Sequence, residues 1–159
     1  MLTKNFYSFI RAALQNTSAQ FTKTDGTTTW LSISNSYPPF EVMKNWSFST
    51  GQSGVSFGTG ATPATASDYF LESILTDSKI SVSTPSAVSF SRGDTSEEYS
   101  ATFGVTNRTA DAITISEVGL TALPGSGGHN LVDRTVLDNP VTIPAGQSKQ
   151  ITYTIRFNY

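Results

Sequence analysis

The segment Ile151-Thr152-Tyr153-Thr154-Ile155-Arg156-Phe157-Asn158-Tyr159 alternates without a break, with every odd position apolar or aromatic and every even position polar. Side chains on a strand point to opposite faces in turn, so this rhythm describes a β-strand with one buried and one wet face. Just before it, Pro144-Ala145-Gly146-Gln147 reads as a turn, with proline fixing φ and glycine free to take positive φ. Val141-x-Ile143 enters that turn as the end of a second strand.

The same period extends back through the second half of the chain. Ile80-x-Val82, Val88-x-Phe90, Tyr99-x-Ala101-x-Phe103-x-Val105 and Ile113-x-Ile115 put apolar groups on one face and Ser or Thr on the other. Between Ile115 and Val118 the phase slips by one residue before Val118-x-Leu120-x-Ala122 resumes, which predicts a bulge. In the first half, Leu31 and Ile33, Phe40 and Val42, Trp46 and Phe48, and Val55 and Phe57 mark shorter strands separated by Pro38-Pro39 and the Gly51 to Gly54 turn. Residues 58–68 are too rich in Gly, Pro, Ser and Thr for regular structure and read as a surface loop, with Ser67 and Asp68 placed to cap a helical turn over 69–75.

Only residues 2–14 carry a helical period, through Leu2, Phe6, Phe9, Ile10, Ala13 and Leu14, with Thr3 as a cap. Such a helix either packs on its own sheet or serves as an arm docking on a neighbouring subunit. The expected fold is therefore mainly β: a β-sandwich, jelly-roll or immunoglobulin-like, of about seven to ten short strands with one short N-terminal helix. A length of 159 residues fits a single domain, 1–159.

Composition narrows the function. Absence of cysteine removes disulfides, thiolate zinc sites and cysteine nucleophiles. Ten basic against twelve acidic residues leave a net charge of −2, too weak a field to gather nucleic acid or anionic lipid. No apolar run approaches the roughly 18 residues a membrane helix needs, and Met1 to Leu14 lacks the continuous apolar stretch of a leader. In contrast, 22 Ser and 23 Thr lie among the β-branched and aromatic residues, which suits broad, weakly charged sheet faces.

Chemical signatures are sparse. His129 is the single histidine, in the glycine-rich run Pro124-Gly125-Ser126-Gly127-Gly128-His129, where nothing in the sequence holds it as a base. Neither that run nor Gly58-Thr59-Gly60 has the residues of a nucleotide-binding loop. Glu97 or Glu98 with Asp111 or Glu117 would be carboxylate pairs for glycoside hydrolysis only at a suitable separation, and their strand positions read as solvated. Arg92-Gly93-Asp94 spells an adhesion tripeptide but needs only a turn to explain it, and the sequons at Asn16, Asn45 and Asn107 read as chance matches in a Ser/Thr-rich chain. No cofactor, metal or catalytic residue is expected. Trp30, Tyr37 and Trp46, with Tyr69, are the aromatics that could face a ligand and stack on sugar rings; Phe6, Phe9, Ile10, Phe157 and Tyr159 are the candidate assembly contacts.

The run Leu131-Val132-Asp133-Arg134-Thr135-Val136-Leu137-Asp138-Asn139-Pro140-Val141-Thr142-Ile143-Pro144-Ala145-Gly146-Gln147-Ser148, followed by Ile151-Thr152-Tyr153-Thr154-Ile155, resembles the C-terminal part of small virion proteins of tailed bacteriophages. Phe103-Gly104-Val105-Thr106-Asn107, Ile113 to Leu120 and the loop Gly58-Thr59-Gly60-Ala61-Thr62-Pro63 share that likeness. The resemblance implies a non-enzymatic structural protein in multiple copies at the capsid surface, neck or tail, assembled in the host cytoplasm, with copies of itself and other virion proteins as partners. The alternative expectation is a carbohydrate- or receptor-binding module directed at a host surface glycan.

Overall fold

A computed structural model of the chain describes residues 1–15, 17–32, 54–122 and 129–158. Among these the chain is mainly β, with one helix and several antiparallel sheets. The expected strands around Phe40, Val42, Trp46 and Phe48 lie outside the described residues. The chain divides into two compact units, residues 1–75 with 115–140 and residues 76–114 with 141–159.

In the first unit, helix α1 (Lys4–Gln15) packs on the hairpin of β1 (Ser18–Thr22) and β2 (Thr28–Ser32). Phe9, Ala12, Ala19, Phe21 and Leu31 close into one apolar cluster, with the Phe9 and Phe21 rings edge-to-face at 6.1 Å. The helix starts two residues later than its apolar pattern, because Met1 to Thr3 are taken by the sheet. Thr3 N–H donates to the Val132 carbonyl and Leu2 bridges Asp133. Thr3 does occupy the cap position, but its hydroxyl donates to the Leu131 carbonyl at 2.6 Å.

The other sheet of this unit has the order β3-β7-β8, from β3 (Gly54–Gly58), β7 (Ile113–Ala122) and β8 (Asn130–Ile143). Two of the three boundaries between the units fall inside β7 and β8, and the third lies between Leu75 and Thr76. No bulge interrupts β7 where it pairs with β3: the register advances one for one from Glu117↔Gly58 to Thr121↔Gly54. That pairing begins at Glu117, within the stretch from Ile115 to Val118 where the phase slips. From Ile115 onward β7 is buried on both faces, so its apolar residues can change sides without any of them turning to water.

In the second unit, β6 (Ser96–Asn107) is central. It pairs along one edge with β4 (Ile80–Val82) and β5 (Ala87–Arg92), and along the other with β9 (Ser148–Asn158). Ala101, Phe103, Val105, Ile151, Tyr153 and Ile155 form the buried face, as the alternation predicts. The turn into β9 is also as expected, with Gly146 at φ 68° and Gln147 N–H donating to the Pro144 carbonyl. Asn107, one of the three sequon asparagines, is buried and donates its amide to the Asp111 and Ile143 carbonyls, which leaves no room for a glycan.

Candidate functional site

Residues 58–75 run irregularly from the end of β3 and are held down by one buried carboxylate. Glu117 on β7 is 0% exposed, yet each of its oxygens accepts two hydrogen bonds. Oε1 takes Gly60 N–H at 3.1 Å and Ser73 N–H at 2.8 Å; Oε2 takes Glu72 N–H at 3.1 Å and Arg134 Nε at 2.8 Å. Four donors fill the lone-pair capacity of an ionised carboxylate, so Glu117 has nothing left to offer a substrate proton. It works as an anchor for the loop backbone.

Gly58 and Gly60 let that backbone come close. A Cβ on Gly60 would sit 2.6 Å from Glu117 Oε1, and one on Gly58 would sit 2.7 Å from the Ser73 carbonyl. The glycines of Gly58-Thr59-Gly60 thus serve close approach to an internal anion, and no phosphate cradle is formed.

Arg134 on β8 supplies the cation. Its side chain is buried, and its fork is divided among three carboxylates: Nε to Glu117, Nη1 to Asp68 at 2.8 Å and Nη2 to Glu72 at 3.4 Å. Burial opposes ionisation of Asp68, but hydrogen bonds from the Thr65 backbone and from Arg134 outweigh it and hold the carboxyl below its ordinary range. Glu72 is also held low, first by Thr62 N–H, then by the Thr62 hydroxyl, with a smaller pull from Arg134. Burial likewise works against the Arg134 charge, and its bonds to Asp68 and Glu117 more than restore it. Asp68 therefore does not cap a helical turn over 69–75; three of its four acceptor positions are taken by Thr65 and Arg134, and the segment stays irregular.

Beside this cluster lies an open cleft of about 410 Å³, walled by Thr62, Arg134 and residues 67–72. Tyr69 and Phe70 remain 44% and 39% exposed at it. The Tyr69 ring also lies against the β1–β2 turn, 3.4 Å from where a Cβ on Gly26 would stand, and Gly26 adopts φ 82°.

The residues singled out in the sequence are distributed otherwise. Phe6 and Phe9 are buried within their own unit, so these two rings are committed to internal packing and are not open to another subunit; α1 is a helix on its own sheet, not a detached arm. Ile10 is half-buried. Phe157 is half-buried on β9 and meets Tyr99 edge-to-face at 6.0 Å, with Phe90 on the other side of Tyr99 at 5.0 Å. Trp30 is 66% exposed on the outer face of β2, paired with Gln20. Tyr37, Trp46 and Tyr159 lie outside the described residues.

Glu97 and Glu98 are occupied by Arg92 and Arg156, respectively, so the arginine of Arg92-Gly93-Asp94 is tied to its own hairpin. His129 gives its carbonyl to Thr24 N–H. Among the described residues no group of three metal-ligating side chains forms, and no helix is long and apolar enough to cross a membrane. No protein-family model, curated protein or solved structure matches the chain.

Proposed function

We propose that this chain is a non-enzymatic structural subunit of a bacteriophage virion, present in several copies at the capsid surface, neck or tail, with its sheets stacked as a β-sandwich. The observation that carries the reading is the exposed face of β6 and β9. There Ser100 meets Thr154, Thr102 meets Thr152 and Thr106 meets Ser148, each pair joined hydroxyl to hydroxyl at 2.7, 2.9 and 2.6 Å. Ser89 and Ser81 extend the face onto β5 and β4 as the partners of Ser100 and Thr106. Charge enters only at one end, where Arg156 is neutralised by Glu98.

Such a face suits contact with another chain. Within each pair one O–H already donates to the other oxygen, so one donor per pair is left to be met across a contact, and no lone charge has to be desolvated. Covering by neighbours also fits a chain so poor in charge, since charged residues are depleted at the centre of an interface. In a symmetric assembly the contact is repeated, and modest interactions per subunit add up through multivalency. The phage-like pattern from Gly58 to Ile155 points to the same setting.

Mass spectrometry of purified particles of the virus that encodes the chain tests this reading. The chain should be present at a copy number comparable with other structural components. Its consistent absence from intact particles, with abundant chain in the lysate, would contradict the proposal.

A further inference from the structure

We propose that the cleft walled by Thr62, Arg134 and residues 67–72 is a binding site for a neutral sugar residue. Three features of the cleft point to this chemistry, and none depends on the assembly reading. First, two aromatic side chains, Tyr69 and Phe70, keep 44% and 39% of their surface in water at a concave site. A pyranose ring offers them an apolar C–H face, and C–H groups are drawn to the negative face of an aromatic ring.

Second, the rim has fixed acceptors for the hydroxyls that surround such a ring. Asp68 is set by Thr65 N–H at 3.0 Å and the Thr65 hydroxyl at 2.7 Å. Glu72 is set in the same manner by Thr62 N–H at 2.9 Å and the Thr62 hydroxyl at 2.8 Å. Both carboxylates are thus orientated before any ligand arrives, which lowers the entropy lost on binding. The Ser67 hydroxyl adds a group able to donate in return.

Third, the charge selects against anions. The only cation at the cleft wall, Arg134, has its fork committed to Glu117, Asp68 and Glu72, so it presents no spare charge to a sialic, uronic or phosphorylated sugar. The volume of about 410 Å³ lies near the small end of ligand sites, which fits a single ring or the end of a chain.

The test is saturation-transfer NMR on the full chain with the methyl glycosides of glucose, galactose, mannose and N-acetylglucosamine. Glucosamine serves as the cationic comparator and the methyl glycoside of N-acetylneuraminic acid as the anionic one. At least one neutral glycoside should receive saturation at its ring protons, and titration should show binding about tenfold weaker in Tyr69→Ala and in Phe70→Ala. Glu72→Gln, which keeps the shape of an exposed side chain, should also weaken binding, and Trp30→Ala should leave it unchanged. Circular dichroism identifies any variant that fails to fold, and the remaining variants then decide. The proposal is overturned if no neutral glycoside binds, if only glucosamine or the acidic sugar binds, or if binding is lost in Trp30→Ala and kept in the folded cleft variants.

Discussion

At the scale of single residues, Glu117 and Arg134 organise the first unit. Removing Arg134 leaves a buried carboxylate without its cation, so Arg134→Met should lower unfolding free energy by about 3–5 kcal/mol in urea titrations. Replacing both members, as Arg134→Met with Glu117→Leu, should not restore stability. The N–H groups of Gly60, Glu72 and Ser73 would then lose their acceptor, each at about 1–3 kcal/mol if it stays buried. Full rescue by the double variant would show that the charge pair alone matters. Gly60→Ala should cost about 1–3 kcal/mol, because its methyl group would press on Glu72 and Glu117.

The acid response has a definite sign. Asp68 and Glu72 are held below their ordinary values of 3.8 and 4.5, so their contribution is present at neutral pH and disappears as pH falls through the lowered values. A variant carrying Asp68→Asn and Glu72→Gln should show a flatter dependence of the urea midpoint between pH 7 and pH 3 than the natural chain. This cluster was only partly legible in the sequence. Glu117 shares the strand parity of Ile113 and Ile115, so a carboxylate standing in the apolar phase was the available signal. Its partners Gly60, Asp68, Glu72 and Arg134 come from a loop and a distant strand, and no local period connects them.

At the scale of elements, strands with one wet face could be read directly. In β6 and β9 the hydroxyl and apolar residues alternate because one face is exposed, and the observed register places Thr102 opposite Thr152 as that alternation allows. A double-mutant cycle of Thr102→Val and Thr152→Val should give a coupling of about 0.2–1 kcal/mol, the range for a cross-strand pair. Strands buried on both faces were harder to read. In β8 the run Leu131, Val132, Asp133 and Arg134 is buried throughout, so no alternation marks where the strand begins. The slip in β7 also falls where both faces are buried, and the expected cap at Asp68 failed because a tertiary partner claimed the side chain that local capping would have used.

At the scale of the whole molecule, low charge and high hydroxyl content are the properties that need a common explanation. A net charge of −2 and three hydrogen-bonded hydroxyl pairs on one sheet face give a surface that another chain can cover without desolvating a lone charge. A charge placed in the middle of that face should oppose such contact while leaving the buried face, with Ala101 and Phe103, untouched. Light scattering coupled to size-exclusion chromatography on the full chain, beside Thr102→Arg, tests this most directly. The natural chain should form a defined oligomer, with a mass that is a whole multiple of 17.1 kDa, and folded Thr102→Arg should shift towards the single-chain mass. A natural chain that remains at 17.1 kDa at every concentration, or an oligomer indifferent to the arginine, would contradict it.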